Sequence, residues 1–207
     1  METSLEACHD AQQFRQADAR DHVLALTIAP WPRAAYDCVS LEIFMDPKIE
    51  ETIKWFRKIY LDGIPVLLKQ NDTAFLSFVC VVAATDALAG YCYDFPKVGD
   101  RFKTFITSYF PPVYAKHGLN LYLFRCRLLH NFSPAYFSLV HASPKLHLSP
   151  SSIGDTILSD DVFFSDMRTA AESYFADLQS SPQLQQCMLD RLQNIQEGGA
   201  ISVSALT

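Results

Sequence analysis

The chain has 207 residues, of which 49% are apolar, 19% charged and 13% aromatic. That apolar supply fills the core of one domain and excludes wholesale disorder, and seven glycines with few tight-turn dipeptides weigh against an all-β fold. A formal net charge of −6 repels nucleic acid at long range and excludes non-specific coating of DNA or RNA, while leaving room for a local basic pocket.

Residues 1–45 read as an N-terminal extension. Residues 1–21 are polar, and 22–45 are irregular with at most one or two short strands, since Pro30 and Pro32 break the run His22 to Ile28. The start, Met1-Glu2-Thr3-Ser4, has no basic region followed by an apolar run, so no signal peptide is expected.

A mainly α domain of five to six helices is expected over 46–199. Asp46-Pro47 opens the first, with Ile49, Ile53, Phe56 and Tyr60 at helical spacing, and Gly63 and Pro65 interrupt it. Asn71-Asp72-Thr73 reads as the cap of a second helix running to about Tyr91. Its stretch Ala74–Tyr93 carries one charge, Asp86, and is long enough to cross a bilayer. The polar residues in it, and the cost of a mid-membrane carboxylate, favour a core helix, so no membrane is expected.

Val98-Gly99-Asp100 opens a third helix with Phe102, Phe105, Ile106 and Tyr109 on one stripe, stopped by Pro111-Pro112. A fourth starts near Gly118 or Asn120 and ends near Asn131, before Pro134. Residues 135–150 then suggest a short β-hairpin, Ala135 to Val140 against Leu146 to Leu148. Asp160 or Asp161 caps a fifth helix whose broad apolar face runs from Phe163 to Leu178, and Ser181-Pro182 starts a sixth that Gly198-Gly199 ends. Residues 200–207 form a tail.

The cysteines, Cys8, Cys38, Cys80, Cys92, Cys126 and Cys187, form no CxxC pair. They read as free thiols of a reducing compartment, the cytoplasm, and no zinc site or other cofactor is expected. No P-loop, glycine-rich dinucleotide turn, HExxH or GxSxG is present, which argues against the commoner NTPases, dehydrogenases, zinc proteases and hydrolases.

The chemistry concentrates in Leu121-Tyr122-Leu123-Phe124-Arg125-Cys126-Arg127-Leu128-Leu129-His130-Asn131-Phe132. Guanidinium grips phosphate oxygens in a fork, imidazole moves a proton near neutrality, and a neighbouring amide orients a phosphate or hydroxyl. A plainer reading pairs Arg125 or Arg127 with a buried carboxylate, Asp86 being the candidate, and leaves His130 as a helix-end residue. On an ideal helix a five-residue step turns about 140°, so Arg125 and His130 do not share a face, whereas Arg127, His130 and Asn131 do. The pattern leaves open which arginine works.

Arg125, four residues and His130, on an aromatic-rich helix followed by a chain break, resemble the Arg-x(4–6)-His motif of HEPN domains. The helices around Ala84 to Gly90 and Arg101 to Ile106 are similar to those that precede it. The resemblance covers about Asp46 to Phe132, and more loosely the helices to Gly198. It implies a helical bundle, usually a homodimer, with the motif facing a cleft between subunits. It also implies a metal-independent endoribonuclease of toxin–antitoxin or phage-defence type. Arg125 would hold the scissile phosphate, His130 would serve as general base or acid, the RNA 2'-hydroxyl would be the nucleophile, and Arg127, Asn131 and Asp86 would support them. An antitoxin would be the partner. Cys126 departs from the polar residue that active members often carry after the arginine. With the acidic balance, it leans toward the alternative: a non-catalytic dimeric module that binds a nucleotide, an RNA end or a partner protein.

His141 and His147 flank the expected hairpin and read as able to approach each other, and His117 reads as a solvated loop residue.

Overall fold

The computed structural model describes residues 45–197. The extension and the strands expected within 22–45 lie outside the described residues except for Met45, as does the tail 200–207.

The described chain is mainly helical, with six long helices and one small sheet. Helix α1, Pro47–Phe56, starts as expected: the Asp46 carboxylate accepts the Lys48 N–H at 2.8 Å, and Ile49, Ile53 and Phe56 turn inward. It runs into a π-helical turn, Arg57–Leu61, then a one-turn helix, Ile64–Leu67. A Cβ on Gly63 would collide with the Ile59 carbonyl oxygen, so the wide turn closes only over a glycine. Arg168 donates to the Leu61 carbonyl at 3.1 Å and anchors this corner to the helix Asp160–Ser180.

Asn71–Thr73 forms a 3-10 turn and does not cap the next helix with a side chain. The Thr73 hydroxyl donates backwards to the Leu67 and Gln70 carbonyls instead. Helix α2, Ala74–Cys92, is the central element and packs against the third, fourth, fifth and sixth helices. Asn71–Cys92 is long and apolar enough to span a membrane by length and composition, but half of its apolar window is buried within this bundle. The buried hydroxyls of Ser77 and Thr85 donate to the Ala74 and Val81 carbonyls, so neither needs a partner from another helix.

Helix α3, Val98–Tyr109, buries Phe102, Phe105 and Ile106, and Pro111 ends it. A 3-10 stretch, Pro112–His117, leads into α4, Gly118–Asn131, which closes on Phe132 in the left-handed region at φ 51°. A Cβ on Gly99 would meet the Tyr122 ring at 2.9 Å. Glycine there lets the first turn of α3 sit directly on α4.

The expected hairpin is corrected. Strand β1, Phe137–Val140, pairs in parallel with β2, Thr156–Ser159, from Phe137 opposite Thr156 to Val140 opposite Ser159. Pro144 starts a 3-10 turn, Pro144–Leu146, that carries the chain past β1 to the other edge of β2. There Leu148 donates to Ile157 and Ile157 to Ser149. Helix α5, Asp160–Ser180, follows β2 directly and buries Phe163, Phe164, Met167, Ala170, Ala171, Tyr174, Phe175 and Leu178. Helix α6, Pro182–Glu197, completes the bundle.

Candidate functional site

Four helices converge on one partly enclosed cavity of about 150 Å³. Helix α2 supplies Asp86, Ala89 and Gly90, α3 supplies Val98 and Arg101, α4 supplies Arg125, and α6 supplies Arg191. Asp86 stands on the flank of an otherwise apolar helix and meets Arg125 across the α2–α4 contact, Nη2 to Oδ2 at 2.6 Å. Their side chains keep only 24% and 18% of their exposure, so both charges are largely withdrawn from water. Burial alone would lower the Arg125 pKa. The charge and hydrogen bond of Asp86, with a smaller contribution from Cys126, more than reverse that and hold the guanidinium above its ordinary value.

The pair is not fully satisfied internally. Asp86 Oδ1 and Arg125 Nε are buried without a hydrogen-bond partner. Arg101 and Arg191 are half-buried in the same wall and have no acidic partner within ion-pair distance among the described residues. Among the described residues, three guanidinium groups against one carboxylate leave two positive charges around the cavity, in a chain whose net charge is −6. Such a lining attracts and can hold an anion.

His130 stands elsewhere. Helix α4 stays regular through Asn131, so the end of the helix does not fray to carry His130 round toward Arg125. The five-residue step moves it about 7.5 Å along the axis and 140° around it. Arg127, His130 and Asn131 are all exposed on the flank away from the cavity, and the Arg127 guanidinium lies 6.0 Å over the Tyr136 ring. Of the five residues singled out by sequence, the fold therefore joins Arg125 with Asp86, and groups Arg127, His130 and Asn131 separately.

His141 and His147 are built into a polar layer between the sheet and α5. His141 Nδ1 lies 2.6 Å from Asp160 Oδ2, and the buried Asp160 also accepts the Ala142 and Asp161 N–H groups. Ala142 adopts φ 46° to make that bond. His147 accepts the Ser159 N–H at Nδ1, 3.1 Å, so its proton sits on Nε2 and points to the Tyr114 oxygen at 2.7 Å. Tyr114 in turn donates to Asp166 at 2.7 Å. The two histidines thus have separate partners and do not pair with each other. His117 is buried, 9% exposed, with Nε2 unpartnered, which corrects its reading as a solvated loop residue: the 3-10 stretch before α4 turns it inward. Burial lowers the pKa of both His117 and His147, with Lys116 adding to the effect at His117. Cys80, Cys92, Cys126 and Cys187 are free, and Cys8 and Cys38 lie outside the described residues.

Arg101 and Arg191 escaped the sequence reading. Each is a single arginine on an amphipathic helix, where a cation ordinarily faces water. The one available signal was indirect: the lone Asp86 in α2 called for cations on the helices packed around it. Compared with protein-family models, curated proteins and solved structures, the chain matches none.

Proposed function

We propose that this chain is a helical binding module that captures a phosphorylated ligand, a nucleotide or an RNA end, through Arg101, Arg125 and Arg191. One observation carries this reading: three arginines from three helices meet around one small cavity with a single carboxylate among the described residues that line it. Phosphate oxygens match the forked donors of guanidinium, and a half-buried arginine without a counter-ion gains more from an anion than an exposed one does. Asp86 orients Arg125 rather than acting on the ligand.

A second reading has its own support. In a HEPN-type homodimer, the exposed face carrying Arg127, His130 and Asn131 would be supplied to a cleft by one or both subunits, with a neutralising protein as partner. That protein would be a metal-independent endoribonuclease acting through the RNA 2'-hydroxyl. The two readings separate in one experiment. Single-stranded RNA is incubated with wild type, Arg125→Ala and His130→Ala in EDTA, and cleavage and binding are followed together. A binding module retains RNA without cutting it, and loses affinity in Arg125→Ala but not in His130→Ala. Cleavage that disappears in His130→Ala would establish the nuclease in its place.

A further inference from the structure

Building on the anion-binding reading, we infer that the cavity takes a terminal phosphate, the dianionic group of a phosphate monoester or of free phosphate, in preference to the internal phosphodiester of a nucleic-acid chain. The charge of the lining argues for it. Three arginines and Asp86 sum to two positive charges, which match a monoester near neutral pH, whereas a diester carries a single negative charge.

The shape argues the same way. Arg101, Arg125 and Arg191 approach from α3, α4 and α6, and α2 lines the remaining side with Asp86, Ala89 and Gly90. Arg101 and Arg191 bring unengaged forks from separate helices to the terminal oxygens of a tetrahedral group, and Arg125, tied to Asp86 at 2.6 Å, adds its charge behind them. A volume of about 150 Å³ accommodates a single phosphate group.

The partial burial of two of the arginines adds to this. Arg101 and Arg191 are half-buried with no acidic partner among the described residues, so their charges are left for an incoming anion. Gly90 keeps the space open: a Cβ there would sit 3.6 Å from Arg191 Nε, and anything longer would enter the cavity.

The test is calorimetric titration of the full chain with inorganic phosphate, together with fluorescence anisotropy using one short RNA that bears either a 5'-phosphate or a 5'-hydroxyl, at low salt. The phosphorylated RNA is expected to bind at least about tenfold more tightly than its hydroxyl twin, and inorganic phosphate is expected to compete with it. Arg101→Gln and Arg191→Gln leave the Asp86–Arg125 pair untouched and should each erase most of that difference without changing the circular-dichroism melting curve. Arg191→Lys, which keeps the charge but not the fork, should retain part of it. Phosphate binding as tightly as the phosphorylated RNA would support the site and name free phosphate as its ligand. Equal binding of the two RNAs, weakened alike by the arginine variants, would overturn the terminal-phosphate assignment and leave the broader anion reading intact. No binding of phosphate or of either RNA would remove both.

Discussion

Asp86 and Arg125, thirty-nine residues apart in sequence, meet at 2.6 Å where α2 crosses α4. Each is largely buried, so each depends on the other. Asp86→Ala should lower unfolding stability by about 1.5–3 kcal/mol, because it strands a guanidinium away from water. Replacing both, Asp86→Leu with Arg125→Met, should recover most of that loss, since a well-packed apolar pair of similar size removes both charges together. Urea denaturation of the two variants checks this; equal losses would mean the ion pair contributes nothing through pairing.

Acid should weaken the fold through His117 and His147. Both have pKa values below the ordinary 6.5, from burial first. As pH falls below 6.5 the unfolded chain takes up protons that the folded chain excludes, so unfolding gains. Stability from these groups is complete above that value and declines as pH drops toward their folded values. Protonating His147 would also set a second N–H against the Ser159 N–H. The urea midpoint should therefore fall between about pH 7 and about pH 5.5, and His147→Gln, which keeps one donor and one acceptor but cannot titrate in this range, should flatten the decline. A midpoint with the same pH slope in His147→Gln and wild type would take His147 out of the explanation.

Two glycines near the cavity should respond oppositely to alanine. At Gly99 the new Cβ would press on the Tyr122 ring at 2.9 Å, and α3 would have to back away from α4. A loss of about 1–3 kcal/mol is expected. At Gly90 the Cβ would find ordinary contact at 3.6 Å, and alanine should gain about 0.5–1 kcal/mol by restricting the unfolded chain. Thermal melts of the two variants decide the signs.

His130→Ala and Asn131→Ala should leave stability within about 0.5 kcal/mol of wild type, because both side chains are exposed. Whatever those variants do to RNA is then a functional effect. A large loss of stability in either would reveal a contact, in a dimer for example, that one subunit lacks.

The helices were legible because their signals are local. Asp46-Pro47 capped α1 where expected, Pro111 stopped α3, and the apolar face from Phe163 to Leu178 is the buried face of α5. The pairing of Asp86 was readable in part, since a single carboxylate in an apolar helix needs a cation, but the sequence left Arg125 and Arg127 both open as its partner. The sheet was not. The Ser-Pro-Lys turn favoured Leu146–Leu148 as the nearer partner of β1, and Thr156–Ser159, the strand that pairs with it in parallel, carried no strand signal that was recognised. The cavity was only half legible: no spacing links Arg101 on α3 to Arg191 on α6, which meet through tertiary packing alone.

Strand β2 passes into α5 with no intervening residue, Ser159 being followed at once by Asp160. The carboxylate of Asp160 then holds His141 and the Ala142 amide just beyond β1. Peeling β1 away would therefore also release the acceptor at the head of a 21-residue helix. The backbone amides of Phe137–Val140, Thr156–Ser159 and the first turn of α5 should exchange with deuterated solvent as one cooperative unit rather than as a fraying strand beside a stable helix.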